Sequence, residues 1–242
     1  MNIVIPLAGK DPRFPRLPKA LQEIKNKLLI CRILDQHCLE STDKVIAIIL
    51  AEHEYNFGIG EKLRGAFNHP VTIRTIPTLT RGAPCTILHA VCDLINNDQE
   101  LLIELGDVVR DLTSFYRDIR IDRHRENLSG IIPIEYRTFN RPWGYVTLKH
   151  DQTVKWLYEK RIIPPSNLAT MGLYYFRYGR DFIWAVNEMI LKESFLYKDN
   201  FFIGPVYNEL IARGDRVVIS HNPIQRILST PKDIEQYGNI CP

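Results

Sequence analysis

The stretch Ile5-Pro6-Leu7-Ala8-Gly9-Lys10-Asp11-Pro12-Arg13-Phe14-Pro15-Arg16-Leu17-Pro18-Lys19-Ala20-Leu21 places one glycine and two spaced cations directly after an aliphatic run. Gly9 permits a sharp turn and lets backbone N–H groups approach phosphate oxygens. Arg13 and Lys19 could neutralise a triphosphate while charge develops on a leaving pyrophosphate. A solvated basic loop explains the same residues on composition alone. No GxxxxGK[ST] is present, so this is not a P-loop. Gly82-Ala83, in Thr80-Arg81-Gly82-Ala83-Pro84-Cys85-Thr86, leaves room for a flat ligand at a helix start, where anions are favoured. An ordinary helix start with small residues accounts for it equally well. Gly106-Asp107 offers a carboxylate that could hold Mg²⁺, an ion that takes one or two carboxylates plus phosphate oxygens. Read alone, Asp107 is a turn residue. Asp111 is a fallback ligand or, more simply, the N-cap of a helix over Leu112–Arg120. Glu159-Lys160, taken alone, is a surface ion pair. The seven histidines, His53, His89 and His221 among them, show no HExxH or clustered spacing. No Gly-x-Ser-x-Gly or cysteine–histidine pattern supports covalent catalysis.

These residues fall at the ends of regular elements. Asn2–Leu7 and Lys44–Ala51 are aliphatic runs suited to strands buried on both faces, followed by Val71–Ile76 and Leu101–Leu105. Between them the spacing predicts helices over Lys27–Leu39 with Asn26 as N-cap, over Glu52–Phe67 with Tyr55, Ile59, Leu63 and Phe67 on one face, and over Pro84–Ile95 with proline in the first turn. Four βα units imply a parallel sheet covered on both faces, with ligands at the carboxyl ends of its strands. The loops 8–19 and 106–111 therefore lie on the binding edge. The second half reads as strands at Gly130–Glu135, Gly144–Lys149, Val154–Tyr158 and Leu168–Phe176, with turn signals at Arg141-Pro142 and Pro164-Pro165-Ser166. Pro133 argues against the first of these as a central strand. Helices over Arg180–Leu191 and Val206–Arg213, a strand at Arg216–Ser220 and a helix from Pro231 complete the chain.

The 242 residues, 45% hydrophobic and 24% charged, suit one large domain or a domain plus a small appendage, with no disulfide or metal needed to fold. A net charge of +3, with both signs interspersed, shows no nucleic-acid arm. Cys31/Cys38 and Cys85/Cys92 are each seven apart, which on a helix separates them by about 10 Å, too far for a disulfide. With Cys241 they read as buried small hydrophobes in a reducing compartment. Met1 to Ala8 lacks a basic segment and signal length, and the longest aliphatic run, Val45 to Ala51, is far too short to span a bilayer. The expectation is a cytoplasmic protein without nucleic-acid or membrane partners; homo-oligomerisation stays open.

Ile5-Pro6-Leu7-Ala8-Gly9, Arg13-Phe14, Pro18-Lys19-Ala20-Leu21 and Ile24-x-x-Lys27-x-Leu29-Ile30 resemble, in order, the signature of the sugar-phosphate nucleotidyltransferase family. Trp143-Gly144-Tyr145-Val146, Glu159-Lys160, Pro165-Ser166-Asn167 and Ala169-x-x-Gly172-x-Tyr174-Tyr175-Phe176 resemble its acceptor-binding segment. Phe202-Ile203-Gly204-Pro205-Val206-Tyr207-Asn208-Glu209 and Leu228-Ser229-Thr230-Pro231 resemble members of the capsule and surface-polysaccharide branch. The resemblance implies an α/β fold: a Rossmann-like, mostly parallel mixed sheet of the nucleotide-diphospho-sugar transferase (GT-A-like) type. It implies one domain over 1–242, with a nucleotide-binding lobe (1–111) and an acceptor-binding lobe (112–242). Leu7, Ala8, Gly9, Lys10, Gly82, Ala83 and Gly106 would contact nucleotide, Gly82 and Ala83 receiving the base. Asp107 would hold Mg²⁺. Gly144, Glu159, Lys160 and Gly172 would hold the acceptor, with Glu159 accepting hydroxyl hydrogens and Lys160 facing the phosphate. Arg13, Lys19 and Lys160 would be catalytic.

The sequence departs from that pattern in three places. Asp11 or Pro12 stands where the family has a second glycine, Ser229 replaces a glycine, and the second metal aspartate of some members would fall near Ile227. The implied reaction is transfer of a nucleoside monophosphate from a nucleoside triphosphate to a sugar 1-phosphate or similar small phosphorylated acceptor. It releases pyrophosphate, in capsule or surface-polysaccharide biosynthesis. Three alternatives are a cytidylyltransferase acting on a non-sugar phosphorylated metabolite, a catalytically impaired nucleotide-binding or regulatory module, and a glycosyltransferase. The last would need a DxD motif, and Glu104-Leu105-Gly106-Asp107 is a poor one.

Overall fold

The computed structural model describes residues 1–122, 127–136, 143–160 and 165–240. The turn signals at Arg141-Pro142 and Pro164, and Cys241, lie outside the described residues. Strand β1 (Asn2–Pro6) is aliphatic and almost wholly buried, as a strand covered on both faces must be. The loop after it ends in a single 3₁₀ turn, Lys19–Leu21. Next comes a hairpin of β2 (Glu23–Ile24) and β3 (Lys27–Leu28), which runs into a short α1 (Leu29–Leu34). The expected helix over Lys27–Leu39 is thus only one and a half turns long. Lys25 and Asn26 both have positive φ, 47° and 61°, the geometry of a two-residue hairpin turn, so Asn26 turns a hairpin and does not cap the helix.

β4 (Lys44–Leu50) follows, then α2 (Ala51–Phe57) and α3 (Ile59–Ala66). The single helix expected over Glu52–Phe67 is broken at Gly58, which takes the left-handed conformation at φ +58°. The Glu54 carboxylate then accepts from the Gly60 N–H at 2.7 Å and starts α3. The break turns Tyr55 off the apolar stripe, and it is fully exposed. β5 (Val71–Ile76), α4 (Ala83–Ile95) and β6 (Leu101–Glu104) complete a parallel set in the spatial order β6-β1-β4-β5.

The chain continues through β7 (Val108–Arg110), α5 (Thr113–Asp122), β8 (Leu128–Tyr136), β9 (Tyr145–Leu148), β10 (Val154–Tyr158), β11 (Leu168–Thr170) and β12 (Leu173–Phe176). The last stretch carries α6 (Gly179–Leu191), α7 (Ile203–Arg213), β13 (Arg216–His221), β14 (Ile224–Ile227) and α8 (Pro231–Ile240). β12 lies antiparallel against both β6 and β8 and so continues the parallel half into one ten-stranded mixed sheet. The strand expected over Leu168–Phe176 is interrupted: β11 and β12 run along one edge of β8 in registers two residues apart, and Met171 and Gly172 bulge out opposite Pro133. Proline has no N–H to donate, so an interruption at that point costs the ladder little. Pro133 is therefore compatible with a central strand. β13 lies parallel along the other edge of β8, and β7 and β14 form a separate two-stranded ribbon.

The sheet is covered on both faces. Ile30, Ile33, Ile59, Leu63, Phe115, Ile119 and Ile234 pack on one face. Ile87, Val91, Phe182, Val186, Met189, Val206 and Leu210 pack on the other. Cys31 is buried, which pushes its thiol up to about 11. Cys85 and Cys92 are half-buried in α4, and all four described cysteines are free. Cys38, expected to be buried, is exposed, because α1 ends four residues before it.

Candidate active site

The loop after β1 is pinned at both ends. Leu7 N–H donates to Ile48 O at 2.8 Å, Ala8 is buried, and Phe14 and Leu21 sink into the core. Within it, Asp11 O accepts from Phe14 N–H at 2.9 Å, closing a turn around Pro12. The Asp11 carboxylate accepts from the Arg13 N–H at 3.0 Å and grips the Arg13 guanidinium, with Nε at 2.9 Å and Nη2 at 2.7 Å. That grip holds Asp11 below the usual carboxylate range and raises Arg13 further. Lys10 points elsewhere, to Glu52 Oε2 at 2.5 Å on the surface. Gly9 does not need positive φ, and a Cβ there would meet nothing within 4 Å. The protein itself therefore places no demand for glycine at that position.

Leu21 holds the 3₁₀ turn down, and Lys19 projects from it toward the end of β6. Its Nζ stands 3.5 Å from Asp107 Oδ2, and burial lowers Lys19 against the opposing pull of that carboxylate. Gly106 has φ +75° and turns the chain off β6. Asp107 O accepts from Leu228 N–H at 2.8 Å, and Ser229 Oγ lies 3.5 Å from Asp107 Oδ2. Ile227 pairs with Val108 across the ribbon, so an aliphatic side chain stands beside Asp107 where a second carboxylate would be needed. Asp111 is exposed and accepts from Thr113 N–H at 2.9 Å, at the start of α5. Among the described residues no group of three or more metal-ligating side chains occurs.

Glu159 and Lys160 follow β10, with Lys160 at φ +52°. They do not form an ion pair. Among the described residues no carboxylate lies within 4 Å of Lys160, whose Nζ sits 5.6 Å above the Phe202 ring. The Glu159 carboxylate fits between two glycines: a Cβ on Gly144 or on Gly204 would lie 2.9 Å from its Oε1. Burial pushes this carboxyl up to about 7, against the pull of Lys160. Gly172, at φ +72° on the bulge between β11 and β12, brings its backbone up to Asp107; a Cβ there would lie 3.4 Å from Oδ1.

These groups border two cavities. One, of about 1060 Å³, lies between the β1 loop and α2, with Gly9, Lys10, Arg13, Lys19 and Gly106 in its wall. The other, of about 350 Å³, is walled by Asp107, Gly144, Glu159, Lys160 and Gly172. Arg13 and Leu105 belong to both, so the cavities adjoin. Leu7 borders the larger one, whereas Ala8, Gly82 and Ala83 line neither. Gly82 has a structural reason to be glycine: φ is +102° and a Cβ would fall 2.2 Å from Phe201 O. The sequence did not single out Asn56 and Phe57 in the larger cavity, or Thr170 and Met171 at the smaller one. Aromatic and amide residues in helices and strands carry no spacing that separates a wall from a core.

No protein-family model matches the chain, and no curated protein matches it. Solved structures do. The nucleoside-diphosphate-sugar pyrophosphorylase from Vibrio cholerae RC9 superposes with a TM-score of 0.82 at 21% identity, over 98% of this chain and 99% of that one. A UDP-glucose pyrophosphorylase complexed with UDP-glucose superposes with a TM-score of 0.71 at 15% identity, over 98% and 97%. Among the described residues no helix is long and apolar enough to cross a membrane. The chain has, from end to end, the single-domain α/β architecture of these nucleotide-sugar pyrophosphorylase structures.

Proposed function

We propose that this protein is a nucleotidyltransferase. It would move a nucleoside monophosphate from a nucleoside triphosphate to a sugar 1-phosphate or similar small phosphorylated acceptor, releasing pyrophosphate. The observation that carries this reading is the meeting of Arg13, Lys19 and Asp107 where the two adjoining cavities join. The lobe 1–111 would hold the nucleotide, and the lobe 112–242 the acceptor. An acceptor phosphate oxygen, already anionic, attacks the α-phosphorus; the bond to the β-phosphate breaks, and pyrophosphate leaves with its electron pair. No general base is needed. Lys19 and Arg13 offset the charge that develops, and Lys160 positions the acceptor phosphate for its attack. Asp11 occupies Nε and Nη2 of Arg13, and the Nη1 donors stay available for phosphate. Glu159 receives acceptor hydroxyl hydrogens. Asp107 with the Ser229 hydroxyl fits Mg²⁺ only together with substrate phosphates and water, because among the described residues no group of three ligating side chains stands there. Bound that way, the ion would neutralise phosphate charge. A role in capsule or surface-polysaccharide biosynthesis rests on the C-terminal resemblance.

The test is pyrophosphate release from a panel of nucleoside triphosphates with Mg²⁺ and phosphorylated acceptors, sugar 1-phosphates and non-sugar phosphates alike. Turnover is expected for one pairing, falling by about 100-fold or more in Lys19→Ala. The Asp11–Arg13 pair favours a second reading, a nucleotide-binding module that has lost turnover. Nucleotide binding without pyrophosphate from any pairing would establish that reading, and release of free nucleoside diphosphate would point to glycosyl transfer.

A further inference from the structure

Beneath the cleft lies a buried polar cluster that the transfer chemistry does not touch. Glu104, the last residue of β6, and Arg110, the last of β7, are both buried. Glu104 Oε1 accepts from the Gly106 N–H at 2.8 Å and from Arg110 Nη2 at 2.7 Å. Oε2 accepts from Arg110 Nη2 at 2.8 Å and meets His37 Nε2 at 3.1 Å. Burial would raise this carboxyl, but Arg110 and His37 overcome that and hold it lowered. His37 Nδ1 lies 2.7 Å from the Tyr116 hydroxyl. Arg110 donates from Nη1 to Met171 O at 2.9 Å, and from its backbone N–H to Gln36 Oε1 at 2.7 Å.

Stability does not explain such a pair, because burying two charges costs about as much as their attraction returns, and a packed apolar pair does as well. Its connections are more informative. On one side it holds Gly106, the residue before Asp107. On the other it holds Met171, the residue before Gly172, on the bulge that faces Asp107. We propose that Glu104 and Arg110 are a positioning pair that locks the Gly106–Asp107 turn and the Met171–Gly172 bulge into one geometry. It thereby fixes the distance between the two walls of the cleft. The kinetic consequence rests on the transferase reading; the structural one does not.

The double variant Glu104→Leu/Arg110→Met removes both charges at similar volume and is expected to keep its fold. Amide hydrogen exchange should accelerate at least about tenfold in peptides covering both 105–110 and 168–174, and stay unchanged in 44–50. kcat should fall by about 100-fold, with the nucleotide KM within about threefold. Unchanged protection at both walls, or a change at one wall only, would overturn the proposal. So would wild-type kcat in a variant whose walls have loosened. If the double variant fails to fold, Arg110→Lys decides the matter. It keeps the charge and a bond to Glu104, but a lysine cannot also fork to Met171 O. Faster exchange at 168–174 with 105–110 still protected is expected; protection unchanged at 168–174, or lost everywhere, counts against the proposal. Exchange needs no turnover. An inert wild-type chain would therefore refute the transferase reading and leave the exchange result standing.

Discussion

At the residue scale, Asp11 and Glu159 both bear on the charge of the cleft beside Asp107. Asp11 offsets part of the charge that Arg13 could offer a bound phosphate, so Asp11→Asn should tighten nucleoside triphosphate binding by about threefold to tenfold, with a steeper dependence on salt. Titration calorimetry at two ionic strengths checks this; unchanged affinity would mean that Arg13 does not face the triphosphate. Glu159 behaves differently, because its cost lies in desolvation. Its folded value of about 7 stands above the ordinary 4.5, so the native state holds the extra proton between those values. Stability is then full below about 4.5, is lost as pH rises through 7, and stays reduced above it. Glu159→Gln mimics the protonated form. It should raise Tm by a few degrees at pH 8, leave it nearly unchanged at pH 4.5, and weaken acceptor binding. A Tm gain of equal size at both pH values would place the effect outside this carboxyl.

At the element scale, glycines that read alike in the sequence sit in different surroundings. Gly82→Ala puts a Cβ into the Phe201 carbonyl at φ +102°, and should destabilise the fold by about 2–4 kcal/mol. Gly9→Ala has open space before it and should leave Tm within about 2 °C, while weakening nucleotide binding at least about tenfold. Thermal melts and calorimetry on the two variants separate packing from ligand approach. The strands and most helices could be read from their apolar spacing, because burial on both faces leaves a continuous aliphatic run in β1 and β4. Spacing could not reveal the break at Gly58, the hairpin turn at Lys25-Asn26, or the bulge at Met171-Gly172. Each depends on a backbone conformation that leaves the apolar pattern intact. The pairing of Glu104 with Arg110 was equally hidden, since it needs a ribbon partner over a hundred residues away to place β7. Arg13, Lys19, Asp107, Glu159 and Lys160 could be found by their resemblance to known motifs, and the fold brings them to adjoining cavities.

At the scale of the whole molecule, the metal would be a visitor. With one carboxylate at the proposed site, chelation by EDTA should abolish turnover without lowering Tm by more than about 2 °C, since the described residues hold no metal cluster for folding to depend on. A large drop in Tm would reveal a structural ion. The two walls of the cleft are built differently: one is a loop carrying prolines 12, 15 and 18, and the other is built on laddered strands.

β12 has one more consequence. It bonds to β6 in front and β8 behind, so the two lobes are stitched by backbone hydrogen bonds and have no hinge between them. Closing around substrates by swinging one lobe against the other would require tearing a seam in the middle of the sheet. Any closure around a ligand would fall to the loops at its rim, and small-angle scattering should record the same radius of gyration with the cleft empty or filled.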